Sequence, residues 1–142
     1  MLIGTTSPSL LPIIFVDDEP DDIFFAVRAL RSCGIDNPVI KFCDPEVAIE
    51  HFQKGCAEIV VTIPAALFCD VKMPGVMGFD VVRILRGLPP MQKVPIWMLS
   101  GSDFPDDVAR AKASGADGCL VKPAVPVQLA AIVSGSFSSY SV

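Results

Sequence analysis

Short apolar runs alternate with amphipathic stretches five times along this chain of 142 residues. The runs are nearly continuous in apolar residues, as is typical of parallel strands covered on both faces, and the stretches between them have the apolar spacing of helices. Right-handed helical crossovers join neighbouring strands of this kind. The alternation predicts an α/β fold in which five strand–helix units build one parallel sheet.

The predicted strands are Ile13–Val16, Val39–Cys43, Ala65–Cys69, Val94–Leu99 and Cys119–Val121. The predicted helices are Asp21–Cys33, one opened by Asp44-Pro45-Glu46 and ending near Gly55, Gly78–Arg86, one from Ser102 or Asp103 through Ala113, and Val127–Val133. The stretch Cys56–Ile63 fits neither pattern. The sequence allows two interpretations of it, an added strand-like segment or an apolar loop. We expect residues 1–142 to form one domain, with a core of about 11–134 and flexible termini.

Polar side chains follow four of the predicted strands at the point where each strand ends. Asp17-Asp18-Glu19 follows the first strand, Asp70 the third, Ser100 the fourth and Lys122 the fifth. A carboxylate at the end of a buried strand is costly unless something nearby uses it. Because ligands of open α/β sheets bind outside the carboxyl ends of the strands, we expect these groups to share one site.

Charge and cysteine usage exclude several classes of protein. The formal net charge of −5 disfavours nucleic-acid binding, and no apolar stretch reaches the length of a membrane span. The cysteines are odd in number and include no C-x-x-C pair, so we expect reduced thiols. His51, the only histidine, is expected on the surface, and a zinc site is disfavoured. A cytoplasmic protein is the simplest interpretation.

At these residues the chain strongly resembles the receiver domains of two-component response regulators. The matching segments are Asp17-Asp18 in "IIFVDDEP", Asp70 in "LFCDVKMPGVMGFD", Ser100 in "IWMLSGS" and Lys122-Pro123 in "CLVKP". They occur in the family's order and with fitting spacings over roughly Pro12 to Val133. The resemblance implies a flavodoxin-like fold with strand order 2-1-3-4-5 and a cis peptide bond between Lys122 and Pro123.

The resemblance also implies the chemistry. Asp70 would accept a phosphoryl group as a mixed anhydride, with catalysis by positioning and electrostatics. Mg²⁺ would be held by carboxylate oxygens of Asp18 and Asp70, by the backbone carbonyl of Lys72, and by Asp17 largely through water. Lys122 would pair with the phosphoryl group, and the Ser100 hydroxyl would bond one of its oxygens.

The implied partners are a histidine kinase, of phytochrome-type or hybrid kind, and a downstream protein or phosphotransfer protein. We expect a stand-alone regulator whose only chemistry is self-catalysed phosphoryl transfer and autodephosphorylation, with a homodimer left open. The chain departs from the family at Cys119, where many receivers carry Tyr or Phe. A small thiol cannot provide the same ring rotation, so output through that ring is in doubt.

Other interpretations stay open on the residues alone. Asp18 could cap the first helix, Asp70 could form an Asx turn, and Lys122 could be a solvated lysine. Three further functions are a degenerate receiver that binds partners without phosphorylation, a Mg²⁺-dependent phosphatase and a flavin-binding module. The phosphatase would need an Asp-x-Asp nucleophile, and the flavin module a phosphate loop where Asp17-Asp18 stands.

Overall fold

The computed structural model of the chain describes residues 10–57, 63–102 and 105–136. Within these ranges the strands are β1 (Ile13–Val16), β2 (Val39–Phe42), β3 (Ala66–Asp70), β4 (Ile96–Ser100) and β5 (Gly118–Val121). The helices are α1 (Pro20–Ser32), α2 (Pro45–Ala57), α3 (Gly78–Arg86), α4 (Pro105–Ser114) and α5 (Pro126–Ser134), with a 3-10 turn at Pro89–Met91. None of these helices is long and apolar enough to cross a bilayer.

The five strands form one parallel sheet in the order β2-β1-β3-β4-β5. This confirms the predicted flavodoxin-like fold with strand order 2-1-3-4-5. Successive side chains of a strand point to opposite faces of the sheet, so each apolar strand contributes to two cores. In β1, Ile13 and Phe15 belong to one core, and Ile14 and Val16 to the other.

The first core lies under α1 and α5, which also contact each other. Phe15 and Phe68 stack there with ring centroids 5.2 Å apart, and Trp97 is buried beside them. The second core lies under α2, α3 and α4 and includes Phe52 and Leu85. Covering both faces leaves the strand ends as the places where polar side chains can gather.

Several element boundaries differ from the prediction by one or two residues. Helix α1 begins at Pro20, because proline needs no hydrogen-bond partner at the first helical position. Strand β3 continues through Asp70, whose Cα is in register with Leu99 of β4. Strand β4 begins after Pro95, which has no N–H to add to the sheet.

One prediction about the β2–α2 region is wrong. Cys43 is exposed and lies outside the strand, which ends at Phe42. The reason is local: the side chain of Asp44 accepts a 2.9 Å hydrogen bond from the backbone N–H of Glu46 and starts the helix at once. Helix α2 runs to Ala57, close to the predicted end near Gly55.

Other predicted features lie partly beyond the described ranges. Helix α4 begins at Pro105, so Ser102 does not open it, and Asp103 is not among the described residues. Most of the segment Cys56–Ile63 is likewise outside them. Helix α5 ends at Ser134, one residue beyond the predicted Val133, and Gly135, with φ of 80°, follows it.

Candidate functional site

The carboxyl ends of the strands bring the predicted polar residues to one edge of the sheet. Asp17 follows β1 and Asp70 ends β3, while Lys122 follows β5. The hydrogen bonding between β4 and β5 continues to this edge, where the N–H of Lys122 donates to the carbonyl of Ser100 at 2.7 Å. This places residues that are distant in sequence side by side.

Three carboxylates face one another at this edge. One oxygen each from Asp17, Asp18 and Asp70 lies within 4.8 Å of the other two. The side chains of Asp17 and Asp70 are only 3% and 9% exposed. Like charges this close and this buried repel one another, so the group favours a bound cation. Oxygen-only ligands of this kind suit a hard divalent ion such as Mg²⁺.

The ammonium group of Lys122 lies among carboxylates. Its Nζ is 2.9 Å from Asp70 Oδ1, 2.9 Å from Asp17 Oδ2 and 2.8 Å from Asp22 Oδ2. Burial alone would lower the pKa of Lys122, but the hydrogen bonds to Asp22, Asp17 and Asp70 outweigh it and raise that pKa. The lysine therefore carries its positive charge at every physiological pH.

The Asp70 carboxyl group is less acidic than usual. Burial raises its pKa from 3.8 to about 6, and the nearby charge of Asp17 acts in the same direction. The hydrogen bond from Lys122 acts against this shift. At neutral pH Asp70 is thus a carboxylate in a poorly hydrated place, with one oxygen held by an ammonium group. That is the arrangement of an available nucleophile.

Backbone contacts position Asp17 and Asp70. Asp17 Oδ1 accepts a 2.9 Å hydrogen bond from the N–H of Glu19, just before α1. The carbonyl of Asp70 lies directly beneath Gly78, the first residue of α3, and a Cβ on Gly78 would overlap that oxygen. The N–H of Gly78 also donates to the carbonyl of Val71 at 2.8 Å. Only glycine allows α3 to start so close to the end of β3.

Ser100 lies at the same edge, but its side chain is engaged elsewhere. Its hydroxyl donates a 2.7 Å hydrogen bond to Asp107 Oδ2 on α4 and accepts a 3.1 Å hydrogen bond from the N–H of Ser102. The side chain of Ser102 is 3.3 Å from the same Asp107 oxygen. The structure therefore places Ser100 where it was predicted and holds its hydroxyl toward α4.

The remaining predicted residues have the following places. Lys72 is exposed in the loop after β3, and metal binding by its carbonyl stays a prediction. Cys119 pairs with Met98 in the sheet and packs against the core under α4. Burial, with a smaller effect of Asp107, raises the pKa of its thiol to about 11. His51 is exposed on α2, as predicted, and Trp97 is buried. The Lys122–Pro123 peptide bond is cis, as the resemblance implied.

Two residues of the site, Asp22 and Asp107, are not predicted by the sequence patterns. Each lies in the first turn of its helix, where acidic residues are common because they stabilise the helix terminus. No signal in the sequence separates Asp22 or Asp107 from an ordinary helix-terminal acid.

Comparison with known proteins decides the family. The model of the response regulator receiver domain matches residues 13–134. The chain belongs to this family. It is 30% identical over 121 residues to a gliding motility regulatory protein of Myxococcus xanthus, and that match covers 85% of this chain and 14% of the relative. It is 28% identical over 131 residues to protein PilG of Pseudomonas aeruginosa, with 92% of this chain and 90% of that protein covered.

Solved receiver structures agree with this assignment. The bacteriophytochrome response regulator AtBRR superimposes with a TM-score of 0.73 at 28% identity, covering 92% of this chain and 96% of AtBRR. The chain spans half or less of the length of the first curated relatives it matches. This chain is thus a receiver domain of two-component signalling. Receiver domains as a family bind Mg²⁺ at an acidic cluster and interact with histidine kinases and downstream effectors.

Proposed function

We propose that this receiver domain accepts a phosphoryl group on Asp70 from a kinase phosphohistidine and signals through phosphorylation-dependent protein contacts. The observation that carries the proposal is the position of Asp70: a buried carboxylate 2.9 Å from the Lys122 ammonium, beside Asp17 and Asp18. A carboxylate used only in a turn needs neither the ammonium nor the two other acids.

In the proposed reaction an oxygen of Asp70 attacks phosphorus and forms an O–P bond. The P–N bond of the donor breaks, and the imidazole nitrogen takes its electron pair. Negative charge spreads over the phosphoryl oxygens in the transition state, so groups that are already aligned lower the barrier. Lys122 supplies a fixed positive charge there because it already touches Asp70.

The residues present fit a divalent cation. Asp17, Asp18 and Asp70 would hold it through oxygen ligands, with the carbonyl of Lys72 as the predicted fourth protein ligand. When bound, Mg²⁺ would supply positive charge that offsets the repulsion among the carboxylates and the phosphoryl oxygens. Four acids and one lysine lie at this edge, so the charges of these side chains sum to an excess of negative charge.

Output would depend on Ser100. For its hydroxyl to bond a phosphoryl oxygen, the hydrogen bond to Asp107 must break, and the start of α4 would be released with it. Cys119 provides no ring that could turn inward, so we assign the output to the Ser100–α4 region. The domain would perform no turnover beyond its own phosphorylation and hydrolysis. The likeness to AtBRR makes a phytochrome-type kinase the first partner to test.

Intact-mass measurement after incubation with acetyl phosphate tests this function. We expect a gain of one phosphoryl group that needs Mg²⁺ and is absent in Asp70→Asn. The variant Asp80→Asn is a matched control, because Asp80 is an exposed acid on α3 paired only with Arg83 among the contacts described. Equal labelling of the wild type and Asp70→Asn would refute the assignment.

A further inference from the structure

Three carboxylates surround the ammonium group of Lys122: Asp17 and Asp22 accept hydrogen bonds from it, and Asp70 forms an ion pair with it at 2.9 Å. Two of these partners, Asp17 and Asp70, also belong to the group of acids that could hold a metal ion. Asp22, 2.8 Å from Nζ, is outside that group. A cation and a phosphoryl group would therefore compete for two partners of the lysine and leave the third unaffected.

We propose that Asp22 is the positioning residue for Lys122, and that it keeps the ammonium beside Asp70 while metal and phosphoryl groups occupy the other two acids. This inference rests on the proposed function and extends it to a residue of α1. Asp17 is poorly suited to hold the lysine alone, because its Oδ1 already accepts the N–H of Glu19 and the same carboxylate belongs to the group of acids that could hold a metal ion.

The backbone of α1 fixes Asp22. It is the third residue of the helix, and its N–H donates to the carbonyl of Glu19 at 3.1 Å. The side chain of Asp22 is 41% exposed and that of Asp70 is 9% exposed, and both carboxylates contact the same ammonium group.

A cavity next to Lys122 offers its side chain an alternative position. Its volume is about 360 Å³, and its walls include Phe25, Leu99 and Pro123 together with Asp22 and Lys122. Without the carboxylate of Asp22, the flexible lysine stem could swing into this space and away from Asp70. The geometry thus indicates that Asp22 holds Lys122 beside Asp70, in addition to any effect of its charge on the terminus of α1.

Asp21 provides a matched control. It lies in the same first turn of α1, carries the same charge and is exposed, but it is not among the three partners of Lys122. Asp21→Asn and Asp22→Asn change the net charge and the helix terminus equally. Only the second removes a charged hydrogen bond from the lysine.

The first measurement is the rate of phosphorylation by acetyl phosphate at saturating Mg²⁺, followed by intact mass. We expect Asp22→Asn to slow labelling about tenfold, since one charge-assisted hydrogen bond is lost. Asp21→Asn should stay within about twofold of wild type, and Asp22→Glu should recover much of the rate. An Asp22→Asn rate equal to or above that of Asp21→Asn would overturn the proposal.

The second measurement is the side-chain ¹H–¹⁵N NMR signal of the Lys122 ammonium. It tests the positioning role of Asp22 even if the wild type is not phosphorylated. A fully bonded ammonium exchanges its protons slowly. We expect faster exchange in Asp22→Asn than in Asp21→Asn, with and without Mg²⁺. Identical exchange in the two variants would overturn the positioning role, whereas an unlabelled wild type with the expected exchange difference would count only against the proposed phosphorylation.

Discussion

The Ser100 hydroxyl donates a 2.7 Å hydrogen bond to the carboxylate of Asp107 in the first turn of α4. A hydroxyl has one proton to donate, so it cannot bond Asp107 and a phosphoryl oxygen at once. The proposed phosphorylation and this contact would therefore be coupled: whatever favours one would disfavour the other by the same free energy.

Asp107→Asn should favour the phosphorylated conformation. Loss of the charged acceptor removes about 1 kcal/mol of competition, so the affinity for beryllium fluoride, a phosphoryl mimic, should rise about fivefold. Asp106→Asn is the control, since Asp106 is an exposed acid in the same helical turn. Equal affinities of the two variants in a fluoride titration followed by NMR would argue against the coupling.

The pKa of Asp70 predicts an unusual titration. Because burial raises that pKa to about 6, the metal-free side chain should be mostly protonated at pH 5 and mostly a carboxylate at pH 7. The ¹³C shift of its carboxyl carbon should therefore change with a midpoint near pH 6. Saturating Mg²⁺ favours the charged form and should move the midpoint lower. A metal-free midpoint near 4 would contradict the described burial.

Mg²⁺ should stabilise the fold through Asp18. Binding to the native state alone adds about 2.7 kcal/mol to the free energy of unfolding at a hundred times the Kd, and relief of repulsion among the three acids supplies the affinity. Asp18→Asn should lose most of this gain, while Asp21→Asn keeps it. Thermal unfolding with and without Mg²⁺ measures the difference, and a full gain in Asp18→Asn would remove that residue from the metal site.

Arg86 should be important for stability although none of its described contacts is with a site residue. Its guanidinium donates 2.7 Å hydrogen bonds to the carbonyls of Gly115, Met91 and Val94 and pairs with Asp117 at 3.0 Å. Arg86→Met removes all four of these contacts and should cost about 2–4 kcal/mol of unfolding free energy.

Arg83→Met is the matched control for this measurement. Arg83 is on the same helix, but its side chain is 64% exposed and its pair with Asp80 is a surface contact. Its loss should cost less than about 0.5 kcal/mol. Urea unfolding that ranks the two variants equally would show that the Arg86 contacts do not support the fold.

The fold and the centre of the site followed from local sequence patterns. Each apolar run ends where its polar residue begins, and parallel strands bring those ends to one edge of the sheet. That is why Asp17, Asp70 and Lys122 could be placed together before their distances were known. Strand order came from the family resemblance rather than from the runs themselves.

The misses come from contacts between elements. Asp22 and Asp107 lie on helices, and their partners depend on how α1 and α4 pack against the sheet. No spacing in the sequence specifies that packing. The error at Cys43 has the opposite origin: the apolar run favoured a longer strand, and the side chain of Asp44 starts the helix directly after Cys43.

Borohydride reduction after phosphorylation, followed by peptide mapping, tests the central claim most directly. An acyl phosphate on an aspartate is reduced to the alcohol, which marks the modified residue in the sequence. We expect the alcohol at Asp70 alone, only when Mg²⁺ and a phosphodonor were both present. An unmodified Asp70 in a labelled protein, or the mark on Asp17, Asp18 or Asp22 instead, would contradict the assignment of Asp70 as the phosphoacceptor.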